Sequence, residues 1–160
     1  MAAVDQRQLF KIYVPQAEVV EKGKVMVKKI FICSPFAAVA EDQEAKKAET
    51  LKNIHLAQIA SLYAVMEGET PYAPHLYFPQ FLDDADQESR ELGQMLGLLW
   101  LKECDELWVI GRRISEGMKK EIQMAEKLGI PVKRYVLKRS REERIMDALY
   151  FPDIAFREMV

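Results

Sequence analysis

The sequence is short of the devices that most often announce a function. It contains neither GxGxxG nor GxxxxGK[ST], so no dinucleotide fingerprint and no P-loop stands in it. Its two cysteines, Cys33 and Cys104, lie far apart and without CxxC spacing. They offer neither a zinc site nor a disulfide framework, and read as buried thiols of a reducing compartment. Two histidines, His55 and His75, make no metal-ligand pattern, so neither metal nor cofactor is expected. A net charge of −2 gives no hold on nucleic acid or membrane. The basic stretch KRYVLKRSREER (133–144) is answered by acidic residues within and just after it, and reads as a solvated strand edge and helix face. No apolar run approaches a membrane span, and MAAVDQRQ lacks the basic region and apolar core of a leader. The expectation is a cytoplasmic protein.

What is present points to one fold class. With 160 residues, 49% of them apolar, the chain can bury a core as one domain. VKKIFICSPF (27–36) is a β-branched apolar run ended by Ser-Pro, the mark of a buried strand. Residues 41–67 read as a long helix closed by Gly68. TPYAPHLYF (70–78) contains a second, proline-interrupted strand, and Asp83 to Asp86 cap a helix through ESRELGQMLGLLWLKEC. ELWVIG (106–111) is a third buried strand, SEGMKKEIQMAEKL (115–128) a helix stopped by Gly129, and PVKRYVL (131–137) a fourth strand. REERIMDALY makes a last short helix. Strands alternating with helices through short connections predict an α/β protein, Rossmann-like or flavodoxin-like, with a parallel sheet covered on both faces. Residues 1–24 fall outside that rhythm. QLFKIYV and AEVVEKGKVMV suggest an edge hairpin around Lys22-Gly23, ahead of a single domain over 25–160.

Ligands of open α/β sheets bind beyond the carboxyl ends of the strands, where strand order reverses. Three segments qualify: CSPF (33–36), PHLYFPQF (74–81) and GRRISEG (111–117). Ser34-Pro35 could cradle a phosphate or sugar, or simply end a strand. His75, with Tyr72, Tyr77, Phe78 and Phe81, forms an aromatic-rich loop suited to stacking on a flat base, or to packing on the core. The adjacent pair Arg112-Arg113 suits a phosphate, or stands solvated. Ser115 is an N-cap with Glu116 behind it, and Gly117 opens the backbone to close approach. The sharpest feature is Glu121. At about 100° per residue it falls inside the stripe formed by Met118, Ile122, Met124, Ala125 and Leu128. An unpaired carboxylate is costly to bury there, so Glu121 either reaches a crevice at the rim or bends out to solvent.

Ser115, Gly117 and Glu121, in the spacing Ser-x-Gly-x-x-x-Glu after CDELWVIG, resemble the signature of nucleoside 2-deoxyribosyltransferases and deoxynucleoside 5′-monophosphate N-glycosidases. The blocks ICSP, APHLYFPQFLDD and CDELWVIGRRISEGMKKEIQMAEKLGIPV are also similar to those of uncharacterised bacterial and phage proteins grouped with that superfamily. The likeness spans roughly residues 28 to 137. It implies a small nucleoside or nucleotide ligand, a homo-oligomer, and Glu121 as a nucleophile at C1′ of the sugar. Ser115 would then meet the sugar or its 5′-phosphate, Gly117 would open room for it, Ser34 would line the pocket, and His75 and Tyr77 would contact the base. The resemblance also implies an aspartate on the preceding helix, eight residues before Asp105, where this chain has Gly97. Glu91 and Gln94 share that helix, and Asp83, Asp84 and Asp86 precede it. Two functions are therefore open: glycosyl cleavage or transfer through Glu121, and non-catalytic nucleotide binding by the same fold.

Overall fold

A computed structural model of the chain describes residues 27–136. The expected N-terminal hairpin, the last helix and the ends of the proposed domain lie outside the described residues. Within them, β1 (Lys29–Cys33), α1 (Gln43–Met66), β2 (Thr70–Tyr72), the short α2 (Pro74–Tyr77) and a 3-10 turn (Phe78–Gln80) follow in order. Then come α3 (Gln87–Leu101), β3 (Glu106–Ile110), α4 (Glu116–Leu128) and β4 (Val132–Tyr135). All pairings are parallel and the order is β2-β1-β3-β4. The class is α/β, and the order is that of the first four strands of a flavodoxin-like sheet.

The central strands are apolar on both faces because both faces are covered. Phe31 and Cys33 of β1, with Leu107 and Val109 of β3, pack against Leu101 of α3 and Met118, Ile122 and Ala125 of α4. Ile30, Ile32, Trp108 and Ile110 point the other way, onto Ala60 and Ala64 of α1. Alternate residues of two five-residue strands thus serve two cores. Burying each of the larger side chains stabilises the fold by about 1.5–3 kcal/mol.

Helix ends follow the capping residues. Asp42 accepts from the Ala45 amide at 2.9 Å, Asp86 from Ser89 at 2.9 Å, and Ser115 Oγ from Met118 at 3.3 Å. Gly129 closes α4 in the left-handed conformation, φ 70°. Gly111, at φ 90°, turns the chain out of β3 where a side chain would be strained, and so sends the β3–α4 loop across the rim. The proline-interrupted segment after Ala73 resolves into α2, with Pro74 at its first position, where its missing N–H costs nothing. None of the described helices is long and apolar enough to cross a membrane.

At the opposite, amino-terminal end of the sheet, Glu106 is almost wholly buried and satisfied. It accepts from Lys28 Nζ at 2.6 Å, Lys133 Nζ at 3.0 Å and Trp108 Nε1 at 2.9 Å, tying β1, β3 and β4 together. Burial alone would raise its pKa, but Lys28, Trp108 and Lys133 outweigh it and hold the carboxyl at about 2, below its ordinary 4.5. A carboxyl depressed in this way stabilises the fold above pH 4.5 and loses that contribution as pH falls toward 2. Glu106→Ala should cost about 2 kcal/mol in urea unfolding at neutral pH, because it strands Trp108 Nε1 and two ammonium groups. The difference from wild type should shrink by pH 3. An equal loss at both pH values would show that packing, and not the charge network, is what Glu106 contributes.

Candidate functional site

The rim at the carboxyl ends of the strands holds a cavity of about 220 Å³. Four elements build it. The β1–α1 loop gives Phe36 and Ala37, and the segment after β2 gives Pro74, His75, Phe78 and Asp84. From α3 come Ser89, Arg90, Gly93, Gln94 and Gly97, and from the start of α4 come Ser115, Glu116, Gly117 and Glu121. Strand order reverses between β1 and β3, so the loops leaving them diverge and a crevice opens.

Glu121 lies in the wall of this cavity, one helical turn beyond the fully buried Met118. The residue is partly exposed as a whole, yet its Oε2 is inaccessible and has no hydrogen-bond partner. Burial pushes the carboxyl up to about 7, and a hydrogen bond with the Cys33 thiol pulls slightly the other way. Cys33, at the end of β1, is itself held protonated, by burial first and by the neighbouring Glu121 second. Its Sγ also lies 3.9 Å from the Met118 carbonyl. Two further buried oxygens at this end of the sheet lack partners: Ser34 Oγ, just after β1, and Tyr72 Oη, at the end of β2. Burial, then Cys104, Tyr77 and Glu121, raise the Tyr72 phenol well above its usual range. Groups of this kind hold a ligand or water more readily than they hold the fold together.

His75 is stacked on Phe36 with ring centroids 5.1 Å apart and planes 13° apart. Burial lowers its pKa to about 4, against the opposing pull of Asp84 and of a hydrogen bond with the Ser34 backbone, so the ring is neutral at pH 7. The cavity thus pairs a flat aromatic wall with a largely buried carboxyl.

Of the residues singled out by sequence, Glu121, His75, Ser115 and Gly117 meet at the cavity. A side-chain carbon at Gly117 would stand 3.8 Å from Gln94 Nε2, so this glycine leaves room in the cavity and relieves no clash. Ser34 and Pro35 are buried behind the wall and do not line it. Tyr77 is exposed and packs edge-on against Phe78 and Phe81, outside the lining. Arg112 is exposed and outside it too. Its neighbour Arg113 turns inward, to the Ala37 carbonyl at 3.2 Å and Glu49 at 3.6 Å.

Gly97 does lie in the lining, beside Pro74. Of the nearby acidic residues, Asp83 caps Ala85 and Asp86 caps α3, and each is occupied by a backbone amide. Asp84 is the one of these three that lines the cavity, where it pairs with Arg90 at 3.2 Å. Arg90 was not visible as a site residue from sequence. The signal for it was there in the phase of α3: Arg90, Gly93, Gln94 and Gly97 recur at helical spacing, and the two glycines leave space beside the polar pair.

No curated protein matches the chain. Among solved structures it is similar to a 2-deoxyribosyltransferase from Bacillus psychrosaccharolyticus, with 19% identity, 73% of this chain and 80% of that chain covered, and a TM-score of 0.42. That likeness is too distant to transfer the role of any residue. A family profile matches residues 28–135, which span every described strand and helix. By that match the chain belongs to the family described as a domain of unknown function, DUF7768.

Proposed function

We propose that the protein cleaves or transfers the glycosidic bond of a nucleoside or nucleotide, with Glu121 as the group that attacks the sugar. The observation that supports this most is the Glu121 carboxyl, unpartnered at Oε2, raised to about 7 and set in the wall of a cavity that also carries a stacked aromatic pair. In the proposed step a Glu121 oxygen bonds to C1′ as the C1′–N bond breaks. The electron pair passes to the base nitrogen, which takes up a proton from solvent. Water, or a second base, then attacks C1′ and frees the carboxylate. Positive charge develops on the sugar in the transition state, and a carboxylate withdrawn from water stabilises that charge more than it stabilises a neutral substrate. Phe36 and His75 supply a face for the base, and Ser115 with the first turn of α4 supplies hydrogen-bond donors for the sugar side. The same resemblance that nominates Glu121 also implies a homo-oligomer, and the unpaired cysteines suit a cytoplasmic one.

A second reading is favoured by one observation. Gly97 stands in the cavity lining at the position where the resemblance implies an aspartate. A site with one carboxyl in place of two suits a protein that binds a nucleotide without turning it over.

The two readings separate chromatographically. Wild type and Glu121→Ala would each be incubated with nucleosides and 5′-monophosphates of both sugar series, with and without an acceptor base. Free or exchanged base from wild type alone supports the first reading. Thermal stabilisation by one nucleotide, without turnover and equally in the mutant, supports the second. If turnover is seen, kcat/KM should rise with pH through an apparent pKa near 7, because only ionised Glu121 attacks. An acid limb near 4.5 would mean that the attacking group is not this buried carboxyl.

Stability gives an assay that needs no substrate. A carboxyl whose folded pKa is raised contributes most fully below its ordinary 4.5, and that contribution is lost as pH rises through about 7. Glu121→Gln should therefore be more stable than wild type by about 1–3 kcal/mol at pH 8 and nearly equal to it at pH 4. A mutant less stable than wild type at pH 8 would mean that the charged carboxylate has a partner in the folded protein.

A further inference from the structure

One wall of the cavity is a loop with no secondary structure of its own, held by side chains from two other elements. The Phe36 carbonyl accepts from Asn53 Nδ2 at 2.9 Å, and Asn53 is a buried residue of α1. The Val39 and Ala40 amides both donate to Glu49 Oε2 at 3.0 Å. The Ala37 carbonyl accepts from Arg113 Nη2 at 3.2 Å, and Arg113 lies 3.6 Å from Glu49 Oε1. The two amides first, and Arg113 after them, keep the Glu49 carboxyl below its ordinary pKa and so charged. Arg113 belongs to the β3–α4 loop, two residues before Ser115 and the opposite wall of the cavity. Phe36, stacked on His75, is the residue this arrangement fixes in place.

We infer that Glu49 and Arg113 are positioning residues that couple the two walls of the cavity, the Phe36–Ala40 loop and the first turn of α4. Neither lines the cavity, so neither is assigned a contact with ligand. Their geometry is cooperative. Glu49 gathers two amides with one oxygen and offers the other to Arg113, which in turn reaches back to the same loop. Loss of either residue loosens the tie between the Ala37–Ala40 part of the loop and the β3–α4 segment, and with it the separation of Phe36 from Ser115 and Gly117. The pairing also explains why two adjacent arginines differ: Arg113 is spent on the wall, while Arg112 is left exposed.

The inference rests on the cavity being the ligand site and is independent of any chemistry at Glu121. Its test therefore uses the free protein and hydrogen–deuterium exchange. Glu49→Gln, Arg113→Ala and the double mutant would be compared with wild type. The informative amides are Val39 and Ala40 on one wall, and Met118 and Lys119, bonded to Ser115 Oγ and Ser115 O, on the other. In Glu49→Gln, exchange should quicken by about three- to tenfold at both walls, although Glu49 accepts from the Val39 and Ala40 amides and reaches the other wall only through Arg113. Arg113→Ala should do the same, the double mutant should add little to either single, and Arg113→Lys should restore part of the protection. Faster exchange at Val39 and Ala40 with Met118 and Lys119 unchanged would overturn the coupling and leave Glu49 a local tie. No change at either wall would overturn it as well. So would equal acceleration in β3, since that is general loosening. Absence of nucleoside turnover, by contrast, would not bear on it.

Discussion

Parallel pairing of β1 with β3 at the centre of the sheet is the constraint on which the rest of the structure depends. The pairing of Ile30 with Glu106 through Cys33 with Val109 sets two chain segments, more than seventy residues apart in sequence, side by side and pointing the same way. Parallel neighbours need long crossovers, so helices must cover both faces, and every strand must deliver its exit loop to one rim. Because β2 and β4 lie on opposite sides of that central pair, the exits of β1 and β3 diverge. The cavity is the space between them.

The two ends of β3 show how the same fold treats a carboxylate in opposite ways. Glu106 opens the strand with three donors around it and is held near 2. Glu121, on the helix that follows, has an oxygen without a partner and is pushed to about 7. The first fastens three strands together, and its neighbours match its charge. Burial opposes the charged state of the second, and the hydrogen bond with the Cys33 thiol offsets that only in part. Proteins tolerate such a residue where a ligand is the missing partner. The thiol of Cys33 and the orphaned hydroxyls of Ser34 and Tyr72 belong to the same unfinished polar layer at the exits of β1 and β2.

How far this was legible in the sequence depended on which physical signal carried each part. β1 and β3 stood out because strands buried on both faces are unbroken apolar runs, and α4 because Ser115 and Gly129 mark its ends. Glu121 was legible for a related reason: helical phase over one turn is reliable, and Met118, Ile122 and Ala125 are indeed the buried residues of that helix. The segment after Tyr72 was harder, since Pro74 and Pro79 break the pattern of strand and helix alike, and only tertiary packing decides that residues 74–77 coil. The contributions of Arg90 and Asp84 needed the fold, because a capping aspartate and a cavity-lining one look alike until Asp83 and Asp86 are seen to be occupied. Arg112 and Arg113 could not be told apart at all, for adjacent residues on a loop leave in directions that sequence does not specify.

Glu121 sits in a buried recess of the cavity, its Oε2 without a hydrogen-bond partner and its charge offset only in part by the Cys33 thiol. NMR of the side-chain carboxyl carbons of carbon-13-labelled glutamates across pH, in wild type and in Glu121→Gln, reports on that burial. One resonance should titrate near 7 and be missing from the mutant. If the resonance lost in the mutant instead titrates near the ordinary 4.5, Glu121 is solvated, and the cavity holds no buried carboxyl of raised pKa.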